Sequence, residues 1–195
     1  DDGIIIFHHQ LDRLFGQWNP HIESWMRRGG RVIWRTVGQS VENNERAASV
    51  YRRQGLEIVR YSPKEAQTFI PAGVFAGEDA LIRFGKYPED YGPWSGAVEH
   101  VINISQGLAR RGDFTHPDFW LAATEGLPRL AMGPGSEDLG GPGALTYDKM
   151  IAALRNARAY LATGTQPASY VLGFIEAMLS GVPIVSIGPH SQWVP

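Results

Sequence analysis

Glu176 stands between Phe174, Ile175, Met178 and Leu179, apolar residues that nearly encircle a helix and leave the carboxylate little water. A carboxylate so placed must find hydrogen-bond donors in the protein or in a ligand, unless its side chain escapes to solvent as most helix carboxylates do. Adjacent Arg110 and Arg111 can grip phosphate oxygens or simply mark a solvated turn. Gly133 and Gly135 open a glycine-rich stretch that runs to Gly143. Glycine admits a ligand close to the backbone, but such a stretch also suits a flexible loop. Pro134 and the lack of a third glycine interrupt the dinucleotide fingerprint, which disfavours a Rossmann oxidoreductase. His8 and His9 close an apolar run, where an imidazole can position an acceptor or a phosphate, or be an ordinary hydrogen-bonded residue. No third ligand at a telling spacing makes them a metal site.

The elements that must carry these residues alternate between short apolar runs and amphipathic stretches, the pattern of parallel sheets covered by helices. In the first half, strands are expected at Ile4 to Phe7, Val32 to Arg35, Leu56 to Tyr61 and Ala80 to Phe84, with helices at His21 to Arg28 and Asn44 to Gln54. The stretch Gly85 to Gly96, rich in Pro, Gly and aromatics, reads as a linker. Beyond it, strands are expected at Val101 to Ser105, Pro128 to Met132, Ala159 to Thr163 and Val182 to Ile187. Helices are expected at Pro117 to Thr124, from Thr146 onward, and at Ala168 to Leu179, the last stopped by Gly181. Tyr61-Ser62-Pro63-Lys64-Glu65 is explained by a capping box.

The run Gly173 to Val185, with Glu-Ala-Met on a helix that ends at Gly-x-Pro before an apolar strand, resembles the signature of glycosyltransferase family 4 (group 1). The resemblance implies a GT-B fold: α/β, two Rossmann-like domains with parallel sheets facing a cleft, here truncated at both ends. It assigns residues 1–90 to a partial acceptor-side domain and 91–195 to a partial donor domain. It also implies that Glu176 binds the ribose of a nucleotide sugar through a charge-assisted bond to the vicinal diol. Gln106 falls where relatives carry an Arg, and Arg111 where they carry a Lys, both facing the donor diphosphate. Arg110 would assist, Gly133 and Gly135 would admit the base, and Ser169 with its helix amides would receive phosphate or sugar oxygens. Val37 occupies the position where many relatives place a cleft-facing His, and His9 is the candidate catalytic residue by its place at the carboxyl end of the Ile4 to Phe7 strand, where acceptor and donor meet in this fold. A first glutamate, seven residues before the second in relatives, is replaced here by Ala168.

With 43% apolar residues in 195, the chain can build a packed core. A formal net charge of −2 offers no broad field for nucleic acid, and the absence of cysteine removes thiolate metal sites and Cys nucleophiles. No apolar run approaches the roughly 20 residues of a membrane span, and no leader pattern opens the sequence, so a cytoplasmic location is expected. The function expected is retaining, metal-independent transfer of a sugar from a nucleoside-diphosphate donor to a glycan, lipid or protein acceptor, without a cofactor. The alternatives are a degenerate nucleotide- or glycan-binding module of the same fold, and a nucleotide-sugar epimerase, for which no convincing carboxylate pair is present.

Overall fold

The computed structural model describes residues 3–8, 11–36, 42–163 and 171–186, with the backbone alone at 12–19. The chain divides into two compact units, Asp1–Phe84 and Gly85–Pro195.

In the first unit, β1 (Ile4–His8), β2 (Arg31–Arg35), β3 (Glu57–Arg60) and β4 (Ala80–Leu81) form a wholly parallel sheet in chain order. Helices α1 (Leu11–Arg27), α2 (Glu42–Arg52) and α3 (Pro63–Phe69) make the connections. Every step along the sheet goes the same way, so right-handed crossovers carry all three helices to one face. The burial pattern agrees. Val32, Trp34 and Ile58 pack with Leu11, Ile22 and Ala48, whereas Ile4 and Ile6 project from β1 and are half exposed. The helix expected from His21 starts at Leu11 and holds Pro20 within it, a residue that would suit a helix start. The capping box is present: Ser62 accepts from the Lys64 amide while Glu65 reaches back to the Ser62 amide.

In the second unit, β5 (Val98–Ile104), β6 (Arg129–Met132), β7 (Ala157–Ala162) and β8 (Ile184–Ser186) are again parallel, but their order is β6-β5-β7-β8. The chain steps outward from β5 to β6, returns to the other side of β5 for β7, and continues outward to β8. Its helices α4 (Pro117–Ala123), α5 (Tyr147–Asn156) and α6 (Leu172–Ser180) therefore cover both faces. Two cores result. One joins Ile102, Met132, Tyr160 and Ala177; the other joins Leu108, Trp120, Ala131 and Leu161. Strand β7 begins two residues earlier than the sequence suggests, because α5 passes into it with no loop. The joint is gripped by the preceding segment, with Ser95 N donating to Arg155 O and Trp94 Nε1 to Ala157 O, each at 2.8 Å.

Candidate functional site

Adjacent strands whose connections leave in opposite directions open a crevice at their carboxyl ends, and β5 and β7 are such a pair. Its floor is polar and buried. Asn103, 0% exposed between Val101-Ile102 and Ile104, donates from Nδ2 to Leu161 O (2.8 Å) and Thr163 Oγ1 (3.0 Å), and accepts from Ser105 Oγ (2.6 Å). These bonds tie the ends of the two strands together in the low-dielectric interior, where each is strengthened.

Past β5, the chain turns through Ser105 to Arg111 and lies against the loop that follows β6. Gly107 N donates to Pro134 O at 2.7 Å, and Gly133 N to Gly143 O at 2.9 Å. Gly133 has φ +107°, and a β-carbon there would run into the Ser105 carbonyl oxygen. At Gly135, with φ +82°, a β-carbon would stand 3.4 Å from the Gly107 α-carbon. Both glycines are thus required by the close approach of two loops. The same packing brings Gln106, Arg110, Arg111, Gly133 and Gly135 into one loop cluster. Within it, Arg110 donates from Nε and Nη2 to the Asp138 carboxylate at 2.6 and 3.2 Å, so its fork is already engaged. Gln106 is exposed and Arg111 half buried. His9 and Ser169 lie outside the described residues, as do Val37 and Ala168.

Helix α6 starts beside the end of β5, where a β-carbon on Gly173 would meet Tyr160 Oη at 3.2 Å and Ile104 O at 3.8 Å. Glu176, one turn further on, is 6% exposed and shares the buried face of α6 with Ala177 and Ser180, whereas Met178 is 60% exposed, so the helix is not buried all round as its apolar neighbours suggest. Its Oε1 meets Lys86 Nζ at 2.6 Å, and among the described residues Lys86 is the sole partner of the carboxylate. The ammonium also lies 4.9 Å from the centre of the Tyr147 ring, whose hydroxyl bonds that of Tyr91 at 2.8 Å. Burial acts to lower the Lys86 pKa, but the hydrogen bond and charge of Glu176 outweigh it and hold the amine above its ordinary value. Burial first, and the Glu176 charge second, push the Tyr160 hydroxyl well above the usual phenol range. The raised Lys86 amine is a cation at neutral pH, and the raised Tyr160 hydroxyl is neutral there. No group of three potential metal ligands is gathered among the described residues.

Sequence reasoning missed Lys86 because its segment reads as a linker. It passed over Asn103 as well, although a lone amide inside the apolar run Val101 to Ile104 is a legible sign of a buried hydrogen-bonding task.

These two parallel sheets have a counterpart among solved structures. The chain is similar in fold to sucrose-phosphate synthase from Thermosynechococcus elongatus, a GT-B glycosyltransferase. The TM-score is 0.65 at 13% sequence identity, over 94% of this chain and 55% of that one. At such identity the likeness is one of fold, and this chain spans little more than half the length of that structure. No protein-family model matches the sequence, and no curated protein matches it significantly. Among the described residues, no helix is long and apolar enough to cross a membrane.

Proposed function

We propose that the chain is part of a glycosyltransferase that moves a sugar from a nucleoside-diphosphate donor to an acceptor, with residues 91–195 on the donor side and residues 1–90 on the acceptor side. The observation that carries this reading is the buried Glu176 carboxylate, which meets one protein cation on the helix leading out of the switch-point crevice. A carboxylate retains capacity for several hydrogen bonds beyond one ammonium, and a ribose diol supplies two donors at matching spacing. The turn holding Gln106 and Arg111 would face the diphosphate, and Gly133 and Gly135 would border the base. The fold of the sucrose-phosphate synthase supports the assignment. Retention of configuration and independence of metal follow from the family resemblance, with charge on the leaving group met by Arg111 and by helix and loop amides. His9 would act at the acceptor side and Ser169 at the sugar phosphate.

The test is a thermal-shift screen of UDP-, GDP- and ADP-sugars on the full-length protein and on Glu176→Ala. One donor class should stabilise the native protein, and the variant should lose most of that shift. Equal stabilisation of both proteins removes Glu176 from the site. A second reading, a module that binds without turnover, is favoured by three departures: neutral Gln106, the missing carboxylate at Ala168, and the Arg110 fork committed to Asp138. Donor binding with neither transfer nor hydrolysis would establish it.

A further inference from the structure

Lys86 is a residue that neither the sequence pattern nor the fold likeness assigns. Its placement is specific. Its side chain is 23% exposed, Nζ sits 2.6 Å from a carboxylate oxygen that is itself buried, and the ammonium is seated against Tyr147. The Tyr147 ring is held in turn by its bond to Tyr91, which lies five residues beyond Lys86 on the same segment. Lys86 and Tyr91 therefore clasp the first turn of α5 from one stretch of chain, and the clasp delivers the ammonium to Glu176. A glutamate has three rotatable side-chain bonds, and a carboxylate that grips two vicinal hydroxyls must be held in one rotamer to do so. The apolar residues around Glu176 offer no donor for that purpose. On the described residues, Lys86 does it.

We propose that Lys86 is a positioning residue for nucleotide binding: by pinning Oε1 it turns the buried Glu176 carboxylate toward a ribose diol. The proposal rests on the assignment of Glu176 to the ribose. Both oxygens can still accept from the ligand, since a carboxylate oxygen takes more than one hydrogen bond. Removing the ammonium leaves the buried carboxylate without the partner that fixes its rotamer, and such a group turns toward water. That turn ends its selectivity for a diol. Among the described residues, the titratable and charged groups facing Glu176 are Lys86 from the segment before β5 and Tyr160 from β7, with Tyr147 and Tyr91 behind the ammonium.

The experiment compares binding of UDP and ADP with binding of their 2′,3′-dideoxy counterparts, by calorimetry on the full-length protein. Native protein, Lys86→Arg, Lys86→Met and Glu176→Gln are measured, each checked for a cooperative melt, with Lys86→Gln replacing Lys86→Met if the latter does not fold. Native protein should prefer the ribose form of the better nucleotide by about tenfold or more, the effect of hydrogen bonds to a charged group. Lys86→Arg should keep most of that preference. Lys86→Met and Glu176→Gln should lose it while still binding both forms through base and phosphate. A general structural role for Lys86 would lower the melting temperature without changing the ratio. If Lys86→Met retains the native ratio while Glu176→Gln abolishes it, the inference about Lys86 is overturned and the ribose assignment stands. If Glu176→Gln keeps the ratio, or native protein shows no preference, both fall together.

Discussion

In the unit Asp1–Phe84, Arg60 is wholly enclosed at the end of β3 and each of its five N–H donors has an acceptor: three bonds go to Glu45 and Glu65, and two to Gly77 O. Glu65 also accepts from Thr36 Oγ1 and from the amides of Tyr61 and Ser62, and Glu45 from the amide of Ala76. The guanidinium also lies over the rings of Trp34 and Phe75, 5.5 and 4.6 Å from their centres. In the unit Gly85–Pro195, the buried Glu176 has the single ammonium of Lys86 among the described residues. Burial of charge is common to both, and saturation separates them. A charged group whose every lone pair and proton is taken by the protein has nothing left for a ligand, so the Arg60 cluster holds α2, α3 and the Gly77 loop on the sheet. A carboxylate met once keeps capacity for something else.

The comparison can be broken first by removing one cation from each cluster. Arg60→Met strands two buried carboxylates and should cost about 3–5 kcal/mol, enough to leave little of the first unit folded. Lys86→Met should cost about 1–2 kcal/mol. Urea titrations followed by tryptophan fluorescence measure both, and similar losses would erase the distinction between a saturated and an open cluster. Next in size, Gly133→Ala forces a β-carbon against Ser105 O at a left-handed φ and should cost about 1–3 kcal/mol. If the two loops form the diphosphate and base site, the same change should weaken nucleotide binding in a folded protein, which a melt and a titration on one sample can separate.

The smallest effect is expected at the exposed pair that joins β2 to β3, where Arg31 donates to both Glu57 oxygens at 2.7 and 2.6 Å. The hydrogen bond from Arg31 holds the Glu57 carboxyl below its ordinary value of 4.5. A lowered carboxyl contributes stability above its unfolded pKa and loses it as pH falls through the folded one. Arg31→Met should therefore shift the urea midpoint slightly at pH 7 and less at each step below pH 4.5. A difference that grows on acidification would contradict that sign.

What the sequence makes legible follows from how locally each feature is encoded. The strands at Ile4, Val32 and Val101 stand out because a buried parallel strand is a short apolar run, and α6 stops at Gly181 as expected because the left-handed cap needs that residue. The α5 to β7 boundary is not legible, since a joint without a turn contains no turn residue. The reading of α1 fails where Pro20 imitates a helix start. At the site, the apolar neighbours of Glu176 point to its burial even though Met178 among them is exposed, but Lys86 is ninety positions away and no periodicity connects them. Arg60 similarly passes for a strand-end cation, because its carboxylates lie fifteen residues before and five after. The Ser62 capping box, read correctly as a cap, hides that Glu65 also serves the buried cluster.

The helix that runs directly into β7 has a mechanical meaning. With Asn156 helical and Ala157 already paired, there is no slack in which one extra residue could be absorbed. An insertion at that point would invert the strand, exchanging the side of the sheet that Tyr160 serves for the side that Leu161 serves, and would carry the tyrosine away from α6. The spacing from Tyr147 to Tyr160 therefore behaves as a fixed ruler between the lysine seat and the helix that bears the carboxylate.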